Sequence, residues 1–115
     1  MYTKKFKYVY KVYCPTDENE EIIYIGSTIT PLCHRLSNHK YKYRLFLKDP
    51  SYTHTSSVNR LFEKYGMENC RIKEILKYDI NDETNIREKE QECINNYRAK
   101  CVNKQIAYKI NNINI

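Results

Sequence analysis

The sequence predicts a single α+β domain in which a small three-stranded antiparallel sheet is flanked by helices, in the order β-β-α-α-β-α. Three observations predict this fold class. Residues 6–13 alternate with the period of a strand, and a β-branched run follows at residues 21–26. Apolar residues with helical spacing then recur in three later stretches. The chain has 115 residues, enough for one hydrophobic core but not for two, so residues 1–115 are predicted to form one domain.

The first two strands are predicted to form an antiparallel hairpin with a long loop at residues 15–21. Alternation in the first strand divides its side chains between two faces: Phe6, Tyr8, Tyr10 and Val12 on one, and Lys7, Val9, Lys11 and Tyr13 on the other. Gly26 is one of only two glycines. It is predicted to end the second strand in a tight exit and to let the backbone come close to a ligand or another strand.

The first helix is predicted to begin with Thr30 as its N-cap and Pro31 as its first residue, and to run to about Leu47. Its buried stripe consists of Leu32, Leu36, Tyr43 and Leu47. His39 falls inside this stripe, and Arg35 lies at its edge one turn earlier. His39 therefore has two interpretations: it is a core histidine with its own partners, or it forms a polar pocket together with Arg35.

A second helix and a third strand follow a connecting loop. Thr55 or Ser56 is predicted to cap this helix and Gly66 to end it. Its apolar residues are Val58, Leu61, Phe62 and Tyr65. Residues 70–78 are predicted to form a strand, with Ile72, Leu76 and Tyr78 on one face and Lys73, Ile75 and Lys77 on the other. Glu74 interrupts the apolar face of this strand.

The last helix is predicted to start after Asp82 as its N-cap and to end near Tyr97. Its apolar stripe consists of Ile86, Cys93, Ile94 and Tyr97. Glu90 falls at the centre of this stripe, whereas Glu83, Glu88 and Glu92 lie off it. A carboxylate in that position requires a cation or a donor, and the two interpretations are a metal ligand and a buried ion pair with a lysine or arginine. A short packed segment follows, and the chain is expected to fray from about residue 109.

Composition narrows the class of partner. Twenty Lys+Arg against fourteen Asp+Glu give a net charge of +6, and twelve tyrosines are interspersed among the basic residues. This balance favours a polyanionic partner, with a generic basic surface as the alternative. No run is apolar enough for a membrane span, and no apolar signal segment precedes the first strand. Five cysteines without a C-x-x-C pair indicate neither a zinc site nor a disulfide framework. We therefore expect a soluble protein of a reducing intracellular compartment, cytoplasmic or nuclear, with no membrane partner.

Unusual polar groups occur on three of the predicted elements. Tyr10 and Tyr24 lie on the hairpin, Arg35 and His39 on the first helix, and Glu90 on the last. Phosphodiester hydrolysis needs such a set. A carboxylate holds a divalent cation, the cation and a guanidinium stabilise charge on the phosphoryl oxygens, and a phenol or imidazole accepts the proton of water.

These residues and their order resemble the GIY-YIG nuclease family over about residues 7 to 107. Tyr8-Val9-Tyr10 stands where the first motif would be, and Tyr24-Ile25-Gly26 is the second motif intact. The spacing of Arg35 and His39 matches the R-x-x-x-H of the family. The remaining matches are Glu90 as the metal-binding glutamate, Asn103 as the downstream asparagine, and His54, where some homing endonucleases of the family carry a histidine. The chain departs from the family at Tyr8, where glycine is usual, and in its longer hairpin loop.

The resemblance implies hydrolysis of DNA, duplex or branched, with one bound Mg²⁺ or Mn²⁺ held by Glu90. Arg35 would contact the scissile phosphate, Tyr24 or Tyr10 would act as the base, and His39 would assist. The residues expected to contact the substrate are Gly26, His54, Asn103, Lys40 and Lys42. Two other classes of function stay open: a catalytically inactive nucleic-acid-binding module of the same fold, and an interaction or scaffold protein. The preference for DNA over RNA, the cleavage specificity and the oligomeric state also stay open.

Overall fold

The computed structural model describes residues 5–49 and 56–102. Within them the strands are β1 (Phe6–Tyr13), β2 (Tyr24–Thr28) and β3 (Arg71–Asp79), and the helices are α1 (Leu32–Lys48), α2 (Asn59–Tyr65) and α3 (Ile86–Asn96). A short 3₁₀ turn, Met67–Asn69, joins α2 to β3. This order confirms the predicted α+β class with a three-stranded antiparallel sheet and three helices in the described part of the chain. No helix of that part is long and apolar enough to cross a membrane.

The strand order in the sheet is β2-β1-β3, so the first strand of the chain is the central one. Both of its partners run antiparallel to it, and Tyr10 lies directly opposite Gly26 of β2. After α3 the chain returns beside Ile23, the residue that precedes β2. There Ile23 forms a parallel bridge with Cys101, and the Val102 N–H donates to the Ile23 carbonyl at 2.9 Å.

A hydrophobic core lies on each face of the sheet because successive residues of β1 point to opposite sides. Tyr10 and Val12 face α1 and α2, in a core completed by Tyr43, Val58, Leu61, Phe62, Cys70 and Val102. Val9 faces α3, together with Ile23, Ile25, Cys93 and Ile94. The sheet therefore lies between the α1 and α2 pair and α3.

The second strand differs from its prediction. It spans Tyr24–Thr28 rather than residues 21–26, and Gly26 is its middle residue, not its end. Gly66 is the glycine with positive φ, +91°, and it ends α2 as predicted. The conformational freedom of glycine is therefore used at Gly66, whereas the absence of a side chain is what matters at Gly26.

The two faces of β3 were predicted wrongly. Val9 pairs with Leu76 and the next residue, Tyr10, pairs with Glu74, so Ile75 is an extra residue that forms a β-bulge. The bulge shifts the alternation by one position. Ile72 consequently packs on the α1 and α2 side while Leu76 packs on the α3 side. Glu74 is exposed, which resolves its apparent conflict with an apolar face.

The predicted N-caps of α1 and α3 were also wrong. The N-cap of α1 is Pro31, and the hydroxyl of Thr30 is hydrogen-bonded with the hydroxyl of Thr28 at 2.8 Å instead of capping the helix. The N-cap of α3 is Asn85, whose side chain accepts hydrogen bonds from the first N–H groups of the helix. Asp82 instead accepts the Thr84 N–H, also before the helix. Both residues predicted as N-caps therefore form local hydrogen bonds before the helix instead of capping it.

The start of α2 and two apolar stripes need smaller corrections. The helix begins at Asn59 rather than directly after Ser56, although the Ser56 hydroxyl accepts the Val58 N–H. Leu47 is 58% exposed, because Phe46 rather than Leu47 continues the core-facing series of α1. Tyr97 is 37% exposed, because it is the C-cap of α3 and has left helical geometry. Thr55 and the tail from residue 109 lie outside the described residues.

Candidate active site

Tyr10 is the centre of a buried hydrogen-bonded cluster. Its hydroxyl lies 2.9 Å from Nε2 of His39 and accepts a hydrogen bond from Nε of Arg35 at 3.1 Å. A guanidinium can only donate, so the Tyr10 oxygen is the acceptor in that bond. The Tyr10 proton is then directed to Nε2 of His39, which gives the phenol a partner for both its oxygen and its proton. Tyr10 is fully buried and His39 is 4% exposed.

The fold positions this cluster through three local features. The central strand directs Tyr10 toward α1, and the i, i+4 spacing in α1 directs Arg35 and His39 toward the same spot. Gly26 provides the space for the ring, because a Cβ there would lie 2.5 Å from the Tyr10 hydroxyl oxygen and 2.6 Å from Cζ. Gly26 was predicted to allow the close approach of a ligand or another strand. In the structure it allows the close approach of the Tyr10 ring.

Tyr24 lies against the same histidine. Its ring meets that of His39 edge to face with centroids 5.5 Å apart, and it is 6.4 Å from the Tyr10 ring. Its hydroxyl is hydrogen-bonded with Ser56, the first residue described after the loop. Tyr24 is half-buried, whereas Tyr10 is fully buried. Of the two phenols, Tyr24 is the one with access to solvent.

Burial controls the protonation of these groups. It raises the pKa of Tyr10 strongly, with further raising by Tyr24 and Glu90, while Arg35 opposes it. Burial and the charge of Glu90 also raise the pKa of Tyr24. Burial, together with the positive charge of Arg35, lowers the pKa of His39 to about 3. At neutral pH both phenols keep their protons and His39 is neutral, so Arg35 is the cation within this cluster.

Glu90 approaches from the other side of the sheet. Its carboxylate is 9% exposed and accepts a hydrogen bond from the hydroxyl of Ser27, the residue after Gly26. Ser27 shares the α3 face with Ile23 and Ile25 by strand alternation. The charge of Glu90 nevertheless reaches across the strand, because it raises the pKa of both Tyr10 and Tyr24.

The compensation of the Glu90 charge is incomplete. No lysine or arginine of the described residues forms an ion pair with it, so the predicted alternative of a buried ion pair is not observed there. One neutral hydroxyl is a weak counterpart for a carboxylate that offers about four acceptor positions. A hard divalent cation prefers oxygen ligands and is held in some sites by one carboxylate together with waters and a substrate phosphate. Glu90 fits that role, and no group of three or more candidate ligands occurs in the described ranges.

Arg35 has unused donors. Its Nε is engaged with Tyr10, and its terminal amino groups have no hydrogen-bond partner among residues 5–49 and 56–102. The bond to Tyr10 fixes the plane of the guanidinium while leaving these amino groups available. They are the donors that form paired hydrogen bonds with a phosphate or a carboxylate.

The remaining predicted site residues are more scattered. Lys42 is exposed on α1, and its charge lowers the pKa of His39. Lys40 is half-buried. Burial raises the pKa of the Cys70 thiol, and the charge of Lys40 lowers it. His54 and Asn103 lie outside the described residues. The structure therefore brings together Tyr10, Tyr24, Arg35 and His39, and it places Glu90 across β2 from them.

Sequence reasoning missed two hydroxyl residues that contact the cluster. Ser27 could have been predicted from the sequence, because it lies two residues after Ile25 and therefore on the same face of the strand, toward the helix that carries Glu90. Ser56 carries no such signal, since its contact with Tyr24 joins a loop to a distant strand. The unusual Tyr8 leaves the cluster intact: it pairs with Thr28 and lies two residues before Tyr10 on β1.

Comparisons with protein-family models, curated proteins and solved structures found no match to this chain.

Proposed function

We propose that the chain is a metal-dependent endonuclease that hydrolyses phosphodiester bonds of DNA, with a GIY-YIG-like site. The observation that carries the proposal is the incompletely compensated Glu90 carboxylate, which lies across β2 from Tyr10, Tyr24 and Arg35. This arrangement places a potential metal ligand, a fixed guanidinium and two phenols around one strand. The net charge of +6 supports an anionic polymer as the substrate.

Arg35 would bind the scissile phosphate. Its orientation is set by Tyr10, so its planar terminal donors are fixed before the substrate arrives. Such preorganised donors stabilise charge that develops on phosphoryl oxygens without reorganising during the reaction. His39 contributes through Tyr10, because it holds the phenol to which Arg35 is bonded.

Tyr24 is the phenol that we assign to the attacking water. Tyr10 is fully buried and has both hydrogen-bonding positions engaged, whereas Tyr24 is half-buried. The raised pKa of Tyr24 keeps it protonated in the free protein, so accepting a proton requires nearby positive charge. Arg35 provides part of that charge, since it already opposes the rise in the pKa of Tyr24.

Glu90 would hold one Mg²⁺ or Mn²⁺, and the ion would supply positive charge to stabilise the charge on the phosphate. The carboxylate also keeps its bond to Ser27, which fixes one oxygen and leaves the other for a ligand. Burial is the main cause of the raised pKa of both phenols, and the charge of Glu90 adds to it, so compensating that charge would remove only the Glu90 part of the rise.

The test is cleavage of supercoiled plasmid with and without Mg²⁺ or Mn²⁺, in wild type and Glu90→Gln. Glutamine keeps the size of the side chain and can still accept the Ser27 hydroxyl, so the variant should fold and bind DNA at least as well as wild type. Cleavage should fall by about a hundredfold or more, comparable to the loss of a major transition-state stabiliser. Glu88→Gln and Glu92→Gln are matched controls, since both residues are exposed on the same helix and should keep activity.

A second measurement separates metal binding from turnover. Mn²⁺ bound to the protein is followed by its magnetic resonance signal without DNA, and Glu90→Gln should weaken that binding while Glu88→Gln should not. If wild type binds DNA but neither ion supports cleavage, the chain is a binding module and the nuclease proposal is wrong. If Glu90→Gln cleaves at the wild-type rate, Glu90 is a structural residue bonded to Ser27.

A further inference from the structure

An apolar groove lies at the end of the sheet where β2 leads into α1. It has a volume of about 500 Å³, and it is lined by Lys5, Phe6, Tyr8, Ile29, Thr30, Pro31 and Ile80. Tyr8 is half-buried and Ile29 is 64% exposed. A space of this size and composition is typical of small-molecule or nucleobase sites rather than of gaps in packing.

The apolar residues of the groove do not serve either core. Tyr8, Ile29 and Ile80 belong neither to the core under α1 and α2 nor to the core under α3. A single exposed apolar side chain is normal in a protein, but Tyr8, Ile29 and Ile80 line one groove together. A group of apolar side chains on one surface is typical of a binding site.

The groove adjoins the proposed phosphate site. Tyr8 and Tyr10 are alternate residues of β1 on the same face, so their Cα atoms are separated by about 6.6 Å along the strand. The other wall, at Ile29 and Pro31, leads directly into the helix that carries Arg35. A polynucleotide with one phosphate at Arg35 would place a neighbouring nucleotide over Tyr8.

The charge around the groove suits such a chain. Lys5 lines the groove and is exposed. The Lys77 ammonium lies 4.1 Å from the centre of the Phe6 ring, and Lys77 is itself exposed and paired with Tyr8 across the sheet. Apolar and aromatic walls with cations at the rim are what single-stranded nucleic acids bind: bases stack on the walls and phosphates meet the cations.

We infer that this groove binds one unpaired base next to the scissile phosphate, so that the preferred substrate is DNA with unpaired nucleotides at the cleavage site rather than intact duplex. The inference rests on the proposed function for the position of the phosphate. A base inside a duplex has both faces covered by its neighbours and cannot reach Tyr8 without unstacking. Single strands, flaps and mismatched sites present such a base at lower cost.

The experiment compares binding of three fluorescent ligands by anisotropy, without divalent ions so that nothing is cleaved. They are an oligothymidine, an abasic strand with the same number of phosphates, and the oligothymidine annealed to its complement. Wild type should bind the oligothymidine about tenfold more tightly than the abasic strand, in the lower range for one stacked base. Tyr8→Ala should remove this difference and leave duplex binding unchanged.

Two further variants control for folding and for general aromatic contacts. Ile29→Ser changes an exposed residue of the groove, so it should reduce the oligothymidine preference without affecting the fold. Tyr41→Ala removes an aromatic ring that is 57% exposed on α1 outside the groove, and it should bind all three ligands as wild type does. Urea unfolding of each variant shows whether Tyr8→Ala is folded.

The outcomes separate the groove from the nuclease. Equal binding of oligothymidine and abasic strand by wild type overturns the inference, because the groove then makes no contact with a base. An oligothymidine preference that survives in both Tyr8→Ala and Ile29→Ser also overturns it. A preference lost in both variants supports the groove even if wild type fails to cleave plasmid, in which case only the nuclease proposal fails.

Discussion

Replacing Gly26 by alanine should destabilise the protein and disrupt the Tyr10 cluster together. The new Cβ would lie 2.5 Å from the Tyr10 hydroxyl oxygen and 2.6 Å from Cζ, far inside normal contact. The ring cannot simply turn away, because Tyr10 is fully buried and its hydroxyl is held by His39 and Arg35. The strand or the ring must move, and either movement stretches both hydrogen bonds.

The magnitude follows from three contributions. Overpacking of a well-packed core costs about 1–3 kcal/mol. Weakening two hydrogen bonds of Tyr10 adds about 1 kcal/mol for each. The lower backbone entropy of alanine in the unfolded chain offsets about 0.4–1 kcal/mol, since Gly26 does not need a positive φ. We expect a net loss of about 2–4.5 kcal/mol in the free energy of unfolding.

Urea unfolding followed by circular dichroism measures this loss. The midpoint should fall by about 1–3 M at an unchanged m-value. Gly66→Ala is the matched control: it strains a positive φ of +91° and meets mainly the mobile end of Glu68. Because Gly66 combines this φ with a ψ of 131°, alanine there should lose about 1–3 kcal/mol and leave DNA cleavage by the folded protein intact. A loss below about 0.5 kcal/mol in Gly26→Ala, with normal activity, would show that the tight fit between Gly26 and Tyr10 is not a constraint.

Three further predictions concern the cluster. Arg35→Lys should lose most of the cleavage activity under saturating DNA, because an ammonium cannot both hold Tyr10 and bind a phosphate with two parallel donors; a wild-type rate would make Arg35 a structural residue. Tyr10→Phe should lose about 1–3 kcal/mol of stability, because it leaves His39 without its buried partner, whereas Tyr24→Phe should reduce single-turnover cleavage more than stability. Near-normal cleavage by both variants would transfer the role of base to His39. Wild type should lose about 1.5 kcal/mol of stability between pH 6.5 and pH 5, because only the unfolded chain protonates His39, whose folded pKa is lowered to about 3. His39→Gln should reduce this pH dependence when urea unfolding is measured at the two pH values, and an equal dependence in both proteins would contradict the reasoning.

The sign of the pH effect follows from proton binding. Above the unfolded pKa of about 6.5 neither state carries the proton, so the stability is at its full value. As the pH falls below that value, His39 binds a proton in the unfolded chain but not in the folded chain. Stability therefore declines until the pH reaches the folded pKa of about 3. The dependence is read at pH 5 because Asp17 and Asp82, whose pKa values are lowered, remain ionised there.

The sequence predicted the elements that depend on local periodicity. The alternation around Tyr10 predicted which residues share its face of β1, and helical spacing predicted that Arg35 and His39 lie one turn apart on α1. The position of Glu90 on the inner face of α3 followed from the same reasoning, because a stripe of buried residues depends only on spacing within one helix. The DNA partner, the metal and the catalytic roles stay predictions.

What the sequence did not predict depends on contacts between distant residues. The bulge at Ile75 results from the pairing of β3 with β1, and no local pattern distinguishes it from an ordinary strand residue. The role of Gly26 depends on the ring of Tyr10, which lies opposite it only in this register. The N-caps were predicted wrongly for a local reason. Thr30 and Asp82 are residue types that suit an N-cap, but each is hydrogen-bonded with a residue two positions away and lies outside its helix.

The central position of β1 determines when the domain can close during synthesis. Its first residue, Phe6, pairs with Asp79, and Ile23, which precedes β2, forms its bridge only when Cys101 reaches it. A nascent chain emerging from the N-terminus therefore carries the hairpin and α1 well before either pairing is completed, and such non-local pairings form slowly. Because Glu90 also comes late, a partly synthesised chain would present the basic residues of α1 without the carboxylate. Under the proposed function, the site is therefore complete only after α3 has been synthesised and Glu90 has bonded to Ser27.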